Sequence, residues 1–329
     1  MTNSSELKVS WSGLTAFLSC PRNYELGYIE GIESKPSLSD RSRTLGTAFH
    51  AGVAAHLLGD SAFWEARKTL AAPPVGLETM YAELAIQVVD LLEYYLPRLA
   101  RYKAVKKSEV IQGESDDLAV EWGFEVPFDG YTVKGIIDAV VRDTVTGELV
   151  IMDWKLRQQF TSLDVAQVDG QLHFYAAALK RMGGVPIDRV VQWQFRSKLP
   201  SPASISLRNS KPNTGAESYD TTWERWCATL PAGIVAAEYE ELMRPKMKDE
   251  SAFSMPCESL VTEESMYMAE CNTNAAVSML KATSVFPAVM SAQKCQFCPF
   301  VRLCSGALRY GGDVTSVIDE YYQKRVRNA

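Results

Sequence analysis

Two aspartates and a lysine have the types and spacing for chemistry on a phosphate. Asp138 closes the segment Gly135-Ile136-Ile137-Asp138, and Asp153-Trp154-Lys155 follows the apolar run Leu149-Val150-Ile151-Met152. Residues two apart on a strand share a face, so Asp153 and Lys155 point the same way if this segment is a strand. If the two acidic segments are adjacent strands, Asp138 meets the pair across the ladder and two hard carboxylates converge. Such a pair suits Mg²⁺ or Mn²⁺, while the lysine can orient a water and offset developing negative charge. That arrangement cuts phosphodiesters. The same residues also fit a solvated sheet face carrying an ordinary cross-strand ion pair.

A second group lies near the other end of the chain, where Cys295, Cys298 and Cys304 form a C-x2-C-x5-C pattern. Three thiolates want a fourth ligand. Spacing alone admits zinc, a [4Fe-4S] cluster, or thiols that are structural or redox-active. The chain has seven cysteines, and an odd number argues against a disulfide framework. Cys227, Cys257 and Cys271 are scattered and read as small hydrophobes.

The elements that must position these groups are legible from periodicity. Trp11, Leu14, Phe17 and Leu18 predict a short amphipathic helix with Ser10 or Ser12 as its cap, turning at Cys20-Pro21. A polar stretch from Glu33 to Arg43 reads as a mobile loop before a helix from Leu45 through His50 to Leu58. Residues 61 to 107 read as helical, with a break at Pro73-Pro74-Val75-Gly76. Between Leu118 and Leu156, alternation punctuated by Asp129-Gly130 and Thr146-Gly147 predicts three consecutive antiparallel strands. A helix from Leu163 to Met182 then carries the chain to a further strand at 189 to 197, so the sheet resumes after a helical crossover. Residues 198 to 220 read as a surface loop and 222 to 290 as helical.

Composition sets outer limits. The 329 residues are 47% hydrophobic and 22% charged, and 34 Lys+Arg against 40 Asp+Glu leave a formal charge of -6. This is an ordinary globular composition without a uniformly basic coat, so any nucleic-acid contact must use local patches. The amino terminus lacks the basic and apolar character of a secretory signal, and no apolar run approaches a membrane span of roughly 18 residues. The expectation is a soluble, cytoplasmic protein, of a bacterial, archaeal or phage-infected cell, with no membrane partner.

Four separated motifs resemble the RecB-like branch of the PD-(D/E)XK nuclease superfamily, in particular its iron-sulfur members, such as CRISPR adaptation nucleases and phage exonucleases. Gly46-Thr47-Ala48-Phe49-His50 is similar to the family's Gly-x-x-x-His helix, Gly135 to Asp138 to its Gly-x-x-Asp strand, Asp153-Trp154-Lys155 to its Asp-x-Lys, and Gln171-Leu172-His173-Phe174-Tyr175 to its Gln-x-x-x-Tyr helix. Ile137 stands where the wider superfamily has proline, a variation common in this branch. The resemblance implies an α/β fold: a restriction-endonuclease-like mixed sheet flanked by helices, with helical insertions and an Fe-S cluster joining the N- and C-terminal segments. It implies one nuclease domain over 1–329, with a helical part to 110, a core over 111–197, and a helical part with the cysteines from 198.

The same resemblance assigns roles. His50, Asp138, Asp153 and the Trp154 backbone carbonyl would hold Mg²⁺ or Mn²⁺, Lys155 would position the attacking water, and Gln171 and Tyr175 would help to fix the active site and DNA. A further acid sometimes precedes the family's strands; Glu121 or Glu125 could serve, but both also read as solvent-facing strand residues and stay outside the core site. Cys20-Pro21 and the C-terminal trio reproduce the family's cysteine layout, which implies a [4Fe-4S] cluster on Cys20, Cys295, Cys298 and Cys304. His56 and His173 read as structural.

The implied activity is that of a metal-dependent DNA nuclease, an exonuclease on single strands or duplex ends in recombination, repair, phage DNA processing or CRISPR adaptation. Helicase, recombination or CRISPR adaptation proteins are the expected partners. The alternative is a DNA-end-binding accessory subunit with little activity of its own. Arg98, Arg101, Lys103, Lys106 and Lys107, Arg41 and Arg43, and Arg196 and Lys198 could touch phosphates or be solvated ends. Trp154 and Phe160 could stack on unpaired bases or belong to the core.

Overall fold

The computed structural model describes residues 7–309 and 312–325. Its centre is built by strict alternation: β4 (Val120–Phe128) buries every second side chain, and the Asp129-Gly130 turn returns the chain into the long strand β5 (Tyr131–Asp143). Gly130 has a φ of 80°, a conformation that glycine adopts without steric penalty. Strand β6 (Leu149–Arg157) pairs antiparallel with β5, and its first six residues are all buried, as befits a strand covered on both faces. The three antiparallel strands expected from the alternation are present.

Strand β7 (Arg189–Arg196) lies parallel to β6 after a helical crossover, and β8 (Ser254–Leu260) closes that edge antiparallel to β7. Two short strands complete the seven-stranded sheet: β1 (Lys8–Val9), parallel to β5, and β3 (Tyr102–Ala104), antiparallel to it. Helices cover both faces. One core gathers Leu14 and Phe17 of the Trp11–Ser19 helix with Phe174 and Tyr175 of the Gln171–Arg181 helix and Ala276 of the Glu263–Ala282 helix. The other joins the Arg41–Leu58 and Glu78–Tyr95 helices to Val141, Met152 and Trp154. Leu84, Val88, Leu91 and Leu92 are fully buried there, each contributing roughly 1.5–3 kcal/mol. Gly52 permits that contact, because a Cβ would stand 2.4 Å from Leu92 Cδ1.

Several expected elements differ. The supposed loop at 33–43 contains strand β2 (Ile32–Ser34), which pairs with β9 (Tyr322–Lys324), and the following helix already begins at Arg41. Residues 102–104 are strand β3 rather than helix end, because Tyr102 to Ala104 find partners in Val141 to Asp143. The 163–182 helix is two, Leu163–Gln167 and Gln171–Arg181. The 222–290 stretch is not uniformly helical: β8 lies within it, and Pro256 is accommodated because β8 is an edge strand. No helix among the described residues is long and apolar enough to cross a membrane.

Candidate active site

A split in the sheet creates the site. On one side of β5, β1 pairs only with Thr132 and Val133, and β6 only with Ala139 to Arg142. Beyond the Ala139–Met152 pair, β6 leaves β5 and continues along β7, so Asp138 stands at the point of divergence. Asp138 and Asp153 therefore flank the point where the ladder ends, each the next residue beyond its last pair, and do not pair across it. Asp138 Oδ2 accepts the Trp154 backbone N–H at 3.0 Å, a side-chain bond in place of the lost ladder bond.

Across β5's other edge, the ladder pairs Val120 with Ala139 and Trp122 with Ile137, which sets Glu121 opposite Asp138. Glu121 adopts φ 46°, the left-handed region that a glutamate seldom enters. The pleat changes hand there, for Val120 packs in one core and Trp122 in the other. A third group comes from the Arg41–Leu58 helix, whose Ala48, Phe49 and Val53 are buried against the core and whose half-buried His50 places Nδ1 3.4 Å from Asp138 Oδ2. His50, Glu121 and Asp138 each offer a ligand atom, and these atoms lie within 4.8 Å of one another. Gly46, one turn earlier on the same helix face, has open space where a Cβ would stand.

Electrostatics suit the site to a cation. Burial holds the His50 imidazole below its ordinary pKa, Asp138 opposes this and Lys155 adds to it, so the ring stays neutral and able to donate a lone pair. The Trp154 backbone, like Asp138, opposes the fall. Although Glu121 is an exposed residue, crowding of its carboxyl raises it to about 7, through burial first and then Asp138. Asp153 is almost wholly buried, and burial pushes it up to about 6 against the pull of Lys155. Its Oδ1 accepts from Lys155 Nζ at 2.6 Å, while its buried Oδ2 has no partner among the described residues. An unsatisfied buried acceptor costs roughly 1–3 kcal/mol, and a cation would remove that cost. The donor set, oxygens with one imidazole, fits a hard divalent ion.

The Gln171–Arg181 helix brings its two motif residues together. Gln171 Nε2 donates to the Tyr175 hydroxyl at 3.0 Å, and the Tyr175 ring meets Phe124 edge-on at 5.2 Å. Burial lifts Tyr175 to about 12, with Asp153 and Asp138 adding to the rise, so its hydroxyl remains protonated. Gly135 makes this packing possible: a Cβ there would lie 2.7 Å from Phe124 Cζ and 3.1 Å from Tyr175 Cε1. The Trp154 side chain is 1% exposed and belongs to the core, which rules out base stacking. Glu125 pairs with Lys8 at 2.8 Å and takes no part, leaving Glu121 as the acid that belongs to the trio. His173 is buried, a ring nitrogen 3.3 Å from the Leu260 carbonyl.

Most of the basic groups singled out in sequence are already engaged. Arg41 pairs with Glu83, Arg43 with Asp40, Lys106 with Asp116, Arg98 with Glu250 and Arg101 with the buried Asp143. At the terminal cysteines, Cys20 Sγ accepts from the Val289 N–H at 3.4 Å, Cys295 Sγ donates to the Val289 carbonyl at 3.5 Å, and Asn23 Nδ2 donates to Cys298 Sγ at 3.7 Å. Burial raises the Cys298 and Cys304 thiols, and charge on Cys20 and Cys295 raises both further, so these four side chains share one neighbourhood.

Residues 8–305 match the PD-(D/E)XK nuclease superfamily, and the chain belongs to it. Members of that superfamily are nucleases, hydrolases of phosphodiester bonds. The α/β architecture, a mixed sheet with helices on both faces, agrees with the restriction-endonuclease-like class expected. Among solved structures, one titled "Crystal structure of SSO0001" is 12% identical, with a TM-score of 0.33, over 93% of this chain and 89% of that one. A search of curated proteins gave no match.

Proposed function

We propose that this protein is a metal-dependent deoxyribonuclease of the RecB-like, iron-sulfur kind, an exonuclease acting in the cytoplasm on single strands or DNA ends. The observation that carries the reading is the convergence of His50, Glu121 and Asp138 beside an Asp153 whose Oδ2 is buried without a partner. His50, Asp138, Asp153 and the Trp154 carbonyl would hold Mg²⁺ or Mn²⁺, with Glu121 added to that set. A divalent ion bound there neutralises charge on the phosphate and acidifies water. Lys155, tethered through Nζ to Asp153, would orient a water that attacks phosphorus as the bond to the leaving oxygen breaks; the water's proton passes to solvent. Gln171 and Tyr175, joined by their hydrogen bond, hold a neutral donor beside the acids.

The shared surroundings of Cys20, Cys295, Cys298 and Cys304 support a [4Fe-4S] cluster as a structural clip within a single nuclease domain. The expected partners are DNA and the helicase, recombination or CRISPR adaptation machinery that presents its ends. Linear single-stranded and duplex DNA, labelled at either end, and closed circular DNA of the same sequence test the reading in Mn²⁺. An exonuclease releases label progressively from linear DNA and spares the circles. Circles cut as fast as linear DNA would contradict exonuclease action.

A further inference from the structure

Two residues beyond Lys155, the same face of β6 ends on an arginine with no partner. The Arg157 guanidinium forms no ion pair and no hydrogen bond among the described residues, and its Nε is buried and unsatisfied. Its neighbour differs: Arg196, which lies opposite Arg157 in the β6–β7 register, binds Asp220. Asp220 is shared by Arg196, Lys198 and Lys248, so one carboxylate serves three cations and their patch retains positive charge. With Arg157 added, four cations gather about the ends of β6 and β7, three of them on the one Asp220 carboxylate, in a chain that is acidic overall.

A buried guanidinium nitrogen without an acceptor costs free energy unless something supplies the acceptor. Alternation on β6 places Asp153, Lys155 and Arg157 on one face, each roughly 6.6 Å from the next. That is of the order of the step between successive phosphates of a single nucleic-acid strand, and a guanidinium fork matches two phosphate oxygens. We propose that Arg157 grips the phosphate next to the one that is cut, and that the strand continues over Arg196, Lys198 and Lys248. This inference rests on the nuclease reading. It assigns the strand a direction across the molecule, from the split in the sheet towards the ends of β6 and β7.

The test measures anisotropy of a fluorescent single-stranded oligonucleotide in EDTA, so that nothing is cut, across a range of salt. Arg157→Gln is expected to bind about tenfold more weakly, the loss of one charge-assisted contact. The slope of log affinity against log salt should fall by about 0.7, the share of one single-strand phosphate, and Arg157→Lys should restore it. Lys198→Gln, at an exposed side chain whose removal leaves the core intact, should lower the slope in the same direction. Wild-type affinity and slope in Arg157→Gln and Lys198→Gln would overturn the inference while leaving the nuclease reading standing. A wild type that neither binds nor cuts DNA would bring down both.

Discussion

Glu121 completes the donor set through its backbone as much as its carboxylate, for at φ 46° the residue breaks the pleat of β4 and its carboxyl joins His50 and Asp138. Glu121→Gln keeps the size and removes the charge. Mn²⁺ affinity, followed by titration calorimetry, should drop by at least about tenfold, since even residues that only support metal ligands are worth 10–100-fold. Unchanged affinity would exclude Glu121 from the centre. His50, Asp138, Asp153 and Lys155 are visible in sequence as motifs; Glu121 is not, because it reads, like Glu125, as an ordinary solvent-facing strand residue. A signal was nevertheless present. The tight Asp129-Gly130 turn pairs Phe128 with Tyr131, and counting back along the ladder puts Glu121, not Glu125, opposite Asp138. The left-handed φ itself has no signature in a glutamate.

At the scale of elements, the site depends on β5 being held at both ends so that β6 can diverge at Asp138. Beyond the site, the far end of β5 is anchored by Asp143, fully buried and bonded to Arg101 and Arg189. Arg101 above all holds its carboxyl well below the usual carboxylate range. A depressed pKa stabilises the fold above the unfolded value of about 3.9, and that contribution is lost as pH falls through the folded value. Asp143→Asn should therefore cost about 3 kcal/mol in denaturant unfolding at pH 7, by removing the buried charge that Arg101 and Arg189 share, and progressively less below pH ~4. A deficit that is the same at pH 7 and pH 3 would refute this anchor. Strands β4 to β7 were legible because alternation and glycine turns announce them. Strands β2, β3 and β9 were not, since two or three residues carry no periodicity and are strands only through partners distant in sequence. The edge strand β8 was obscured by Pro256 and by the lack of any clean alternation of apolar and polar residues.

Across the whole molecule, the two ends of the chain are joined twice. Strands β2 and β9 pair directly, and Leu26, Ile32, Phe300, Leu303 and Tyr322 form a small apolar core beneath them. The four terminal cysteines lie beside this junction, and a cluster bound there would close a loop around almost the entire nuclease core. Cys20→Ala should abolish bound iron and sulfide and lower stability by up to the order of 4 kcal/mol, the benefit of a cross-link over so long a loop. Because β2–β9 pairing and the apolar core remain, the variant should still fold. Iron content and melting temperature equal to wild type would sink the cluster assignment.

If the carboxylates at the split between β5 and β6 make a metal-dependent centre for cutting DNA, cleavage needs both the ion and Asp153. The most direct test follows cleavage of end-labelled linear DNA in Mn²⁺, in Mg²⁺ and in EDTA, for the wild type beside Asp153→Ala. The expected result is cleavage in Mn²⁺ or Mg²⁺ that EDTA abolishes and that Asp153→Ala lacks while still binding DNA. Cleavage that persists in EDTA, or at the wild-type rate in Asp153→Ala, would contradict it.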